Sequence, residues 1–158
     1  MTVDDLREYG IVPMSDDEIQ GFLSSKSVGV LGLPTEGAPA LRPMSFGYDG
    51  ERTLYFVYLL GSESRKQTLS DRTDAARFLV YSAETSFNWR SVLLTGALTA
   101  VPETDHETAR STLETAWRPD VLERASETAE TALYELRIDE QVGYKHLGLP
   151  PAFESESG

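Results

Sequence analysis

Six stretches of apolar and β-branched residues, separated by turn signals, limit what this chain can fold into. They cover residues 28–33, 40–48, 53–60, 76–81, 91–101 and 133–139. Along the last stretch apolar and charged residues alternate, which is typical of a strand with one buried face. The dipeptide Asp49-Gly50 between the second and third stretches is a strong hairpin signal. Six strands with few helices predict a mainly β fold, a closed or partly closed antiparallel barrel.

Short helices are predicted around these strands. Ser15 and Glu18 form a capping box, and Ile19, Phe22 and Leu23 follow at helical spacing as an apolar face. A short helix is predicted from Gly61 to about Leu69, and another over residues 120–126. A second capping box, Thr104 with Glu107, precedes a helix whose apolar face is formed by Ala109, Leu113, Ala116 and Trp117.

The length and charge of the chain bound its organisation and its partners. Its 158 residues predict one domain, residues 1–148, followed by a flexible acidic tail, residues 149–158. Asp and Glu number 26 against 14 Lys and Arg, for a net charge of -12. Only Lys26, Lys66 and Lys145 are lysines, and an acidic, lysine-poor composition favours a halophilic source over an acidic mesophilic protein. This charge argues against nucleic-acid or anionic-membrane partners.

Several kinds of site and location are disfavoured by what the sequence lacks. There are no cysteines and two histidines, so neither a disulfide framework nor a thiolate or histidine metal site is expected. No apolar run approaches the roughly 20 residues of a membrane span. The N-terminus has no basic region followed by an apolar stretch, so we expect a cytoplasmic protein.

Two adjacent cations, Arg65 and Lys66, stand where a helix is predicted to begin. Positive charge in a first helical turn opposes the helix dipole, at a cost of about 0.3–1 kcal/mol for each group. A bound phosphate would account for this placement, because the free N–H groups, the Ser64 hydroxyl and both cations could bind it together. The alternative is a solvated turn whose cations pair with Glu63 or Asp71.

Two further motifs have both a binding and a structural interpretation. Trp89-Arg90-Ser91 precedes the fifth predicted strand, where it could bind a ring and a phosphate, or supply a barrel-closing Trp and a surface Arg. Arg42-Pro43-Met44-Ser45-Phe46 contains a proline that removes a ladder hydrogen bond, so this strand is predicted to be interrupted or at an edge. Free backbone groups there could meet the polar edge of a heterocycle; the alternative is an ordinary edge proline.

The sequence offers no convincing acid, base or nucleophile of its own. It contains no Gly-x-Gly-x-x-Gly after a strand, no Walker motif and no Ser-His-Asp order with supporting context. A phosphate site with aromatic residues but without an evident catalytic side chain suits a redox cofactor, because the cofactor brings its own chemistry.

Five motifs in a fixed order carry a family resemblance. They are Gly37-Ala38-Pro39 with Pro43-Met44-Ser45-Phe46-Gly47-Tyr48; Leu54-Tyr55-Phe56; Ser64-Arg65-Lys66 with Leu69; Trp89-Arg90-Ser91-Val92 through Gly96; and Tyr134-Glu135-Leu136-Arg137-Ile138 with Gly143-Tyr144-Lys145. Together they span about residues 15–147. This pattern resembles the pyridoxamine 5′-phosphate oxidase-like superfamily of FMN-binding split barrels, and more narrowly its branch of nitroimidazole-resistance proteins.

The resemblance implies a six-stranded antiparallel split β-barrel with flanking helices, and a homodimer with FMN at its interface. It implies that residues 42–46 run along the isoalloxazine mainly through backbone contacts, and that Ser64, Arg65 and Lys66 hold the phosphate. Trp89, Arg90 and Ser91 would complete the pocket, and Tyr144 and Lys145 would close its ring end. No metal site is implied.

The function implied is that of a flavin-dependent oxidoreductase that passes electrons from a reduced nicotinamide to a small molecule. Alternatives are a reductase using the deazaflavin F420, a non-catalytic flavin-binding protein, and a barrel that acts in assembly only. Relatives in the nitroimidazole-resistance branch often have a histidine after the Tyr-Phe of the third strand, where this chain has Val57-Tyr58. An activity or a haem that depends on that imidazole is therefore not implied. The chain also lacks a recognisable set of pyridoxal-phosphate-binding residues, so pyridoxamine phosphate oxidase activity itself is not expected.

Overall fold

A computed structural model describes residues 9–60, 75–116 and 130–147 of the chain. The strands are β1 (Ile11–Pro13), β2 (Val28–Leu33), β3 (Ala40–Ser45), β4 (Gly47–Tyr48), β5 (Thr53–Leu60), β6 (Ala76–Thr85), β7 (Asn88–Ala100) and β8 (Glu130–Leu147). The helices are α1 (Asp16–Ser24) and α2 (His106–Ala116), the second preceded by a 3-10 turn at Glu103–Asp105. Neither helix has the length and hydropathy needed to cross a membrane, and no other helix in the described ranges does.

All strand pairs are antiparallel, and the strands form one curled sheet. Along the sheet the order is β3-β2-β6-β7-β8-β5-β4, with β1 added to β8. β3 and β4 are consecutive in the chain, separated only by Phe46, yet they lie at opposite ends of this order. The sheet therefore curls until its two ends meet at Phe46. With β3 and β4 taken as one bent strand and β1 as a short addition, six main strands remain, and the predicted antiparallel split barrel is confirmed.

Three strands are longer than the sequence pattern predicts. β6 and β7 form a hairpin across Ser86 and Phe87, a turn without glycine or proline, so the predicted ends of these strands are wrong. Trp89 and Arg90, which precede the predicted strand, consequently lie within β7 together with Ser91. β8 continues past Asp139 to Leu147. A bulge opposite Thr95 and Gly96 accommodates one extra residue, so pairing with β7 continues through the charged stretch at which the strand was predicted to end.

The main core lies inside the curled sheet and is closed at one end by α1. Phe46 and Phe56 both pack on Phe78, with ring centroids 5.3 and 5.1 Å apart, and all three are fully buried. The predicted capping box at Ser15 and Glu18 is present, and α1 buries the predicted apolar face, Ile19, Phe22 and Leu23.

A second core lies under α2, which packs on β4 and β5. Ala109 and Leu113 are fully buried there, as predicted. The helix begins at His106 after the 3-10 turn, so the start predicted at Thr104 is wrong, and the 3-10 turn has no side-chain cap. Ala116 ends the helix, while Trp117 and the helices predicted over 61–69 and 120–126 lie outside the described residues.

Candidate functional site

Strand alternation divides the predicted site residues between the two faces of the sheet. In β7, Val92 and Leu94 are fully buried, so Arg90 points with them to the inner face. Trp89 and Ser91 point to the opposite, outer face. Across β8, Arg90 is paired with Lys145 and Ser91 with Tyr144, and paired residues share a face. The inner face thus receives Arg90 and Lys145, and the outer face receives Trp89, Ser91 and Tyr144.

The outer face carries an apolar row that crosses four strands. Val30 of β2 is paired with Leu79 of β6, which is paired with Leu93 of β7, which is paired with Val142 of β8. Three of these residues are half-buried, and Val142 is 45% exposed. At one end the row borders a cavity of about 580 Å³ with mainly apolar walls, to which Leu41 of β3 also contributes.

A row of hydroxyl groups runs beside the apolar row. Tyr81 is paired with Ser91, and Ser91 with Tyr144, so three hydroxyl-bearing side chains follow one another across β6, β7 and β8. At the β3 edge, Ser45 is paired with Val28 on the same face. Tyr81 and Val28 are 59% and 56% exposed. An apolar strip bordered by hydroxyl groups offers a planar aromatic ligand a surface for its ring and hydrogen-bonding partners for its polar edge.

The segment from Arg42 to Phe46 follows the edge of the sheet. β3 is the terminal strand and pairs with β2 alone among the described strands, so Pro43 occupies an edge, as predicted. Met44 and Phe46 are buried in the core, whereas Arg42 is exposed and donates a hydrogen bond to the Leu41 carbonyl at 2.9 Å.

His146 fixes the position of Trp89 at the end of the outer face. The imidazole is 4% exposed and stacks on the Trp89 ring, with centroids 6.2 Å apart. Its Nδ1 lies 2.8 Å from the Phe87 carbonyl oxygen and its Nε2 lies 2.7 Å from the Tyr9 carbonyl oxygen. A neutral imidazole has one N–H and donates to one of these carbonyls, whereas the doubly protonated ring donates to both.

On the inner face Lys145 is held by α1. Its ammonium group forms an ion pair with Glu18, whose carboxylate also accepts a hydrogen bond from the Ser15 backbone N–H at 3.4 Å. The hydrogen bond from Lys145 is the main reason that the pKa of Glu18 lies below its ordinary value, and the Ser15 hydrogen bond adds to it. Arg90, next to Lys145, faces a separate cavity of about 370 Å³ beneath α1.

Sequence reasoning found some of these groups and missed others. Ser64, Arg65 and Lys66, the predicted phosphate group, lie outside the described residues. Tyr81 and His146 were missed. Tyr81 belongs to a stretch predicted only as a strand, and it becomes a site candidate once the β6–β7 register places it opposite Ser91. His146 lies beyond the predicted end of the last strand, so its pairing with Trp89 was not foreseeable.

Comparison with solved structures identifies the fold. An FAD-binding protein from Mesorhizobium loti is 19% identical, and the match covers 87% of this chain and 98% of that chain with a TM-score of 0.69. A proposed 5-nitroimidazole antibiotic resistance protein from Bacteroides thetaiotaomicron is 16% identical, with 85% and 87% covered and a TM-score of 0.66. An FAD and heme binding protein from Mycobacterium smegmatis is 18% identical, with 94% and 80% covered and a TM-score of 0.69.

Comparison of the sequence identifies the family. No curated protein matches the chain. The model of the family described as pyridoxamine 5′-phosphate oxidase matches residues 15–145, a span that includes α1, the main strands and both rows of the outer face. The resemblance found in the motifs is thereby confirmed, and the chain belongs to the pyridoxamine 5′-phosphate oxidase family.

Proposed function

We propose that this protein binds FMN on the outer face of its sheet and uses it as an oxidoreductase, with a reduced nicotinamide as electron donor and a small molecule as acceptor. The observation that carries the proposal is the pair of rows on that face. Val30, Leu79 and Leu93 supply a flat apolar surface, and Tyr81, Ser91 and Tyr144 supply adjacent hydroxyl groups. The FAD-binding neighbours of the same fold support a flavin.

These residues fit a flavin by their chemistry. The isoalloxazine is planar and largely apolar, with carbonyl and N–H groups along one edge, which an apolar row beside a hydroxyl row complements. The Trp89 indole at the end of the face adds a further aromatic surface, and its contact with His146 fixes the ring. Arg65 and Lys66 remain the predicted partners of the phosphate, and Arg42 remains a predicted contact at the β3 edge. Arg90 and Lys145, also predicted as contacts, point to the inner face and are not part of the proposed flavin surface.

When bound, the flavin supplies hydride and single-electron chemistry that amino-acid side chains do not. The task of the outer-face residues is to bind the ring, orient its polar edge and exclude water from one of its sides. None of them is assigned as an acid or a base.

We further propose that a second copy of this chain covers the outer face. Val28, Leu41, Tyr81 and Val142 are 45–59% exposed on this one face. Large contiguous apolar patches are uncommon on monomers and mark interaction surfaces. A homodimer would bury this patch and enclose a ring lying on it.

The deciding experiment is the visible absorption spectrum of the purified protein, followed by mass spectrometry of the cofactor released by heat. We expect a flavin spectrum and FMN, bleaching on addition of NADH or NADPH, and reoxidation by a small acceptor. Release of F420 would show that the cofactor is this deazaflavin and not FMN. If FMN is bound but no reductant bleaches it, the protein binds a flavin without catalysing its reduction. A colourless protein that takes up none of FMN, FAD or F420 would refute the proposal.

A variant pair tests the location of the cofactor. Leu93→Glu places a carboxylate in the centre of the apolar row, so we expect FMN affinity to fall at least about 100-fold, the equivalent of burying one unpaired charge beside the ring. Ser111→Glu adds the same charge to the exposed surface of α2 and serves as the control. Equal FMN affinity in the two variants would contradict the outer-face assignment.

A further inference from the structure

The cavity beneath α1 lies on the opposite face of the sheet from the flavin surface. Its volume is about 370 Å³, which falls in the range of small-molecule pockets. Met14 and Phe22 form an apolar wall, and Ser25, Ser82 and Arg90 add polar groups from α1's end and from the β6–β7 hairpin. The cavity is thus a two-part site with an apolar side and a polar side.

The polar side has an excess of positive charge. Arg90 is paired directly with Lys145 across β7 and β8, and like charges at paired positions repel each other. Lys145 is neutralised by its ion pair with Glu18. Arg90 forms no ion pair within the described residues, and it remains half-buried at the cavity wall.

A second cation faces the same cavity. The Lys26 ammonium lies 5.5 Å from the centroid of the Phe22 ring, so a cation–π contact holds it at the wall. Like Arg90, it is half-buried and has no acidic partner among the residues that the structure describes. The chain has only three lysines and a net charge of -12, so acidic partners are abundant. Two cations at one cavity, neither with an acidic partner among the described residues, favour an anionic ligand there.

Hydroxyl groups complete the arrangement. Ser82 is paired with Arg90 across β6 and β7, which brings its side chain next to the guanidinium group. Ser25 follows α1 and adjoins Lys26 in the chain, and both line the cavity, but the Ser25 hydroxyl donates its proton to the Phe22 carbonyl at 2.7 Å. A guanidinium and an ammonium are the donors that bind oxyanions most strongly, and the Ser82 hydroxyl adds a neutral donor beside Arg90. Glu18 also lines the cavity, and its carboxylate would repel an anion. The anion is therefore expected nearer to Lys26 and Arg90 than to Glu18.

We propose that this cavity binds a small organic anion, with its carboxylate or phosphate group between Lys26 and Arg90 and its apolar body against Met14 and Phe22. The site lies on the inner face and the proposed flavin surface on the outer face, so the two are separate. The proposal does not depend on the identity of the flavin.

Phenyl phosphate and inorganic phosphate are suitable probes, because they share the oxyanion and differ in the apolar body. Calorimetric titration of the protein as purified, with its own cofactor, should show saturable binding of both. Phenyl phosphate should bind about 10-fold more tightly, since its ring contacts the apolar wall. Amide NMR shifts should change at Ser25 and Ser82. Equal affinities, or no saturable binding of phenyl phosphate, would overturn the proposal.

Lys26→Met tests the charge while keeping an apolar chain against Phe22. We expect phenyl phosphate affinity to fall about 10-fold, as for the loss of one charge-assisted hydrogen bond. Ser82→Ala, which removes one neutral donor, should lower it by a few fold. Arg110→Gln removes a cation from the exposed surface of α2 and should change nothing. If Lys26→Met and Arg110→Gln lowered phenyl phosphate affinity equally, the effect of Lys26 would come from the overall charge of the protein and not from a contact in the cavity. That result would overturn the site.

A competition arm separates this site from the flavin surface. FMN affinity should be the same in Lys26→Met and the unaltered protein, and phenyl phosphate should not displace FMN. If it does displace FMN, the cavity belongs to the flavin site, and the proposal of a second site is wrong. If the protein binds phenyl phosphate in this manner but no flavin, the proposed function fails and this site stands.

Discussion

At the scale of single residues, His146 joins three parts of the chain through one ring. Its two nitrogens lie at hydrogen-bonding distance from carbonyl oxygens of Tyr9 and Phe87, and its face stacks on Trp89. The N-terminal segment, the β6–β7 turn and the end of β7 therefore share one anchor. The ring lies at the border of the outer face, so it supports the proposed flavin surface without belonging to it.

His146→Ala should lower the free energy of unfolding by about 2–4 kcal/mol, because it removes a buried ring that stacks on Trp89 and contacts two carbonyl groups. His106→Ala is the matched control, since that half-buried ring contacts one carbonyl, of Val101, at 2.9 Å. We expect a loss of about 1 kcal/mol there. Urea denaturation measures both values. Equal losses would show that the second contact of His146 contributes nothing.

Glu135 is a buried carboxyl group whose protonation is coupled to folding. It is 8% exposed on β8, paired with Tyr55, and burial is the main reason that its pKa lies above the ordinary value. Arg137, 3.9 Å away and largely exposed, lowers the pKa, and Asp105 raises it. Because the folded state binds this proton more tightly than the unfolded state, Glu135 destabilises the fold increasingly as pH rises from the unfolded pKa to the folded one.

Glu135→Gln removes that ionisation. We expect the variant to be more stable than the unaltered protein at neutral pH, and the difference to shrink as pH falls from the folded pKa to the pKa of an unfolded glutamate and to stay constant below it. Thermal unfolding between pH 4 and pH 8 measures it. Glu140→Gln, at an exposed position of the same strand, is the control. A difference between Glu135→Gln and the unaltered protein that does not vary with pH would exclude this coupling.

Among single residues, the sequence indicates candidate binding groups but does not indicate which face of the sheet each of them occupies. Arg90 and Ser91 are adjacent in one motif, and the motif alone cannot show that a strand runs through it. Once β7 is known to begin at Asn88, alternation sends the two side chains to opposite faces. Tyr81 shows the reverse case, since no local pattern marks it and only its register opposite Ser91 makes it a candidate.

At the scale of elements, α1 is fixed by a cap whose parts also serve the inner face. Glu18 accepts a hydrogen bond from Ser15 and forms the ion pair with Lys145, so the start of the helix is attached to β8. The opposite end of the helix leads to Ser25 and Lys26 at the cavity. The position of α1 therefore sets the shape of the proposed anion site.

Ser15→Ala should cost about 1 kcal/mol of stability, the usual value for the loss of an N-cap. Ser24→Ala, in the last turn of the same helix, where the hydroxyl donates to the Gln20 carbonyl, should cost less than about 0.5 kcal/mol. Guanidinium denaturation followed by circular dichroism distinguishes them. The assigned cap would be unsupported if Ser24→Ala were the more damaging change.

Gly96 permits the close crossing of β7 and β8 at the bulge. A methyl group there would lie 1.7 Å from the Arg137 carbonyl oxygen, and backbone atoms cannot yield as a flexible side chain can. We expect Gly96→Ala to cost about 3 kcal/mol or more, or to prevent folding. Gly37→Ala, with no atom within 4 Å of the added methyl group, should be near neutral. Comparable stability of the two variants would show that the bulge relaxes easily.

The same bulge explains which elements could be predicted from sequence. β2, with clear turn signals on both sides, has the predicted bounds, and the capping box gives the start of α1. β8 was predicted to end at Asp139, because a charged stretch interrupts the alternation there. The bulge absorbs the extra residue through a tertiary contact with Gly96, and no local pattern contains that information.

At the scale of the whole molecule, the sheet presents one apolar and one partly charged site on opposite faces. The proposed dimer would cover the outer face and leave the cavity beneath α1 open on each copy. Leu41 is 57% exposed on the outer face, at the cavity that β3 borders, and it is the natural position at which to test the dimer.

Leu41→Glu should weaken self-association at least about 10-fold, because a carboxylate would be placed in an apolar interface. Sedimentation velocity over a range of protein concentrations measures this. Ser111→Glu carries the same added charge outside the outer face and should keep the association of the unaltered protein. A monomer at all concentrations before any substitution would contradict the dimer itself.

The place of β8 in the chain has a consequence for synthesis. β8 pairs with β1, β5 and β7, and it follows all three of them in the chain. On a ribosome, these strands emerge with open hydrogen-bonding edges and wait for a partner that is made later. Because loop closure over long separations is slow, we expect the sheet to be completed only after β8 has emerged. Nascent chains halted before residue 130 are therefore the forms most exposed to aggregation and most dependent on chaperones.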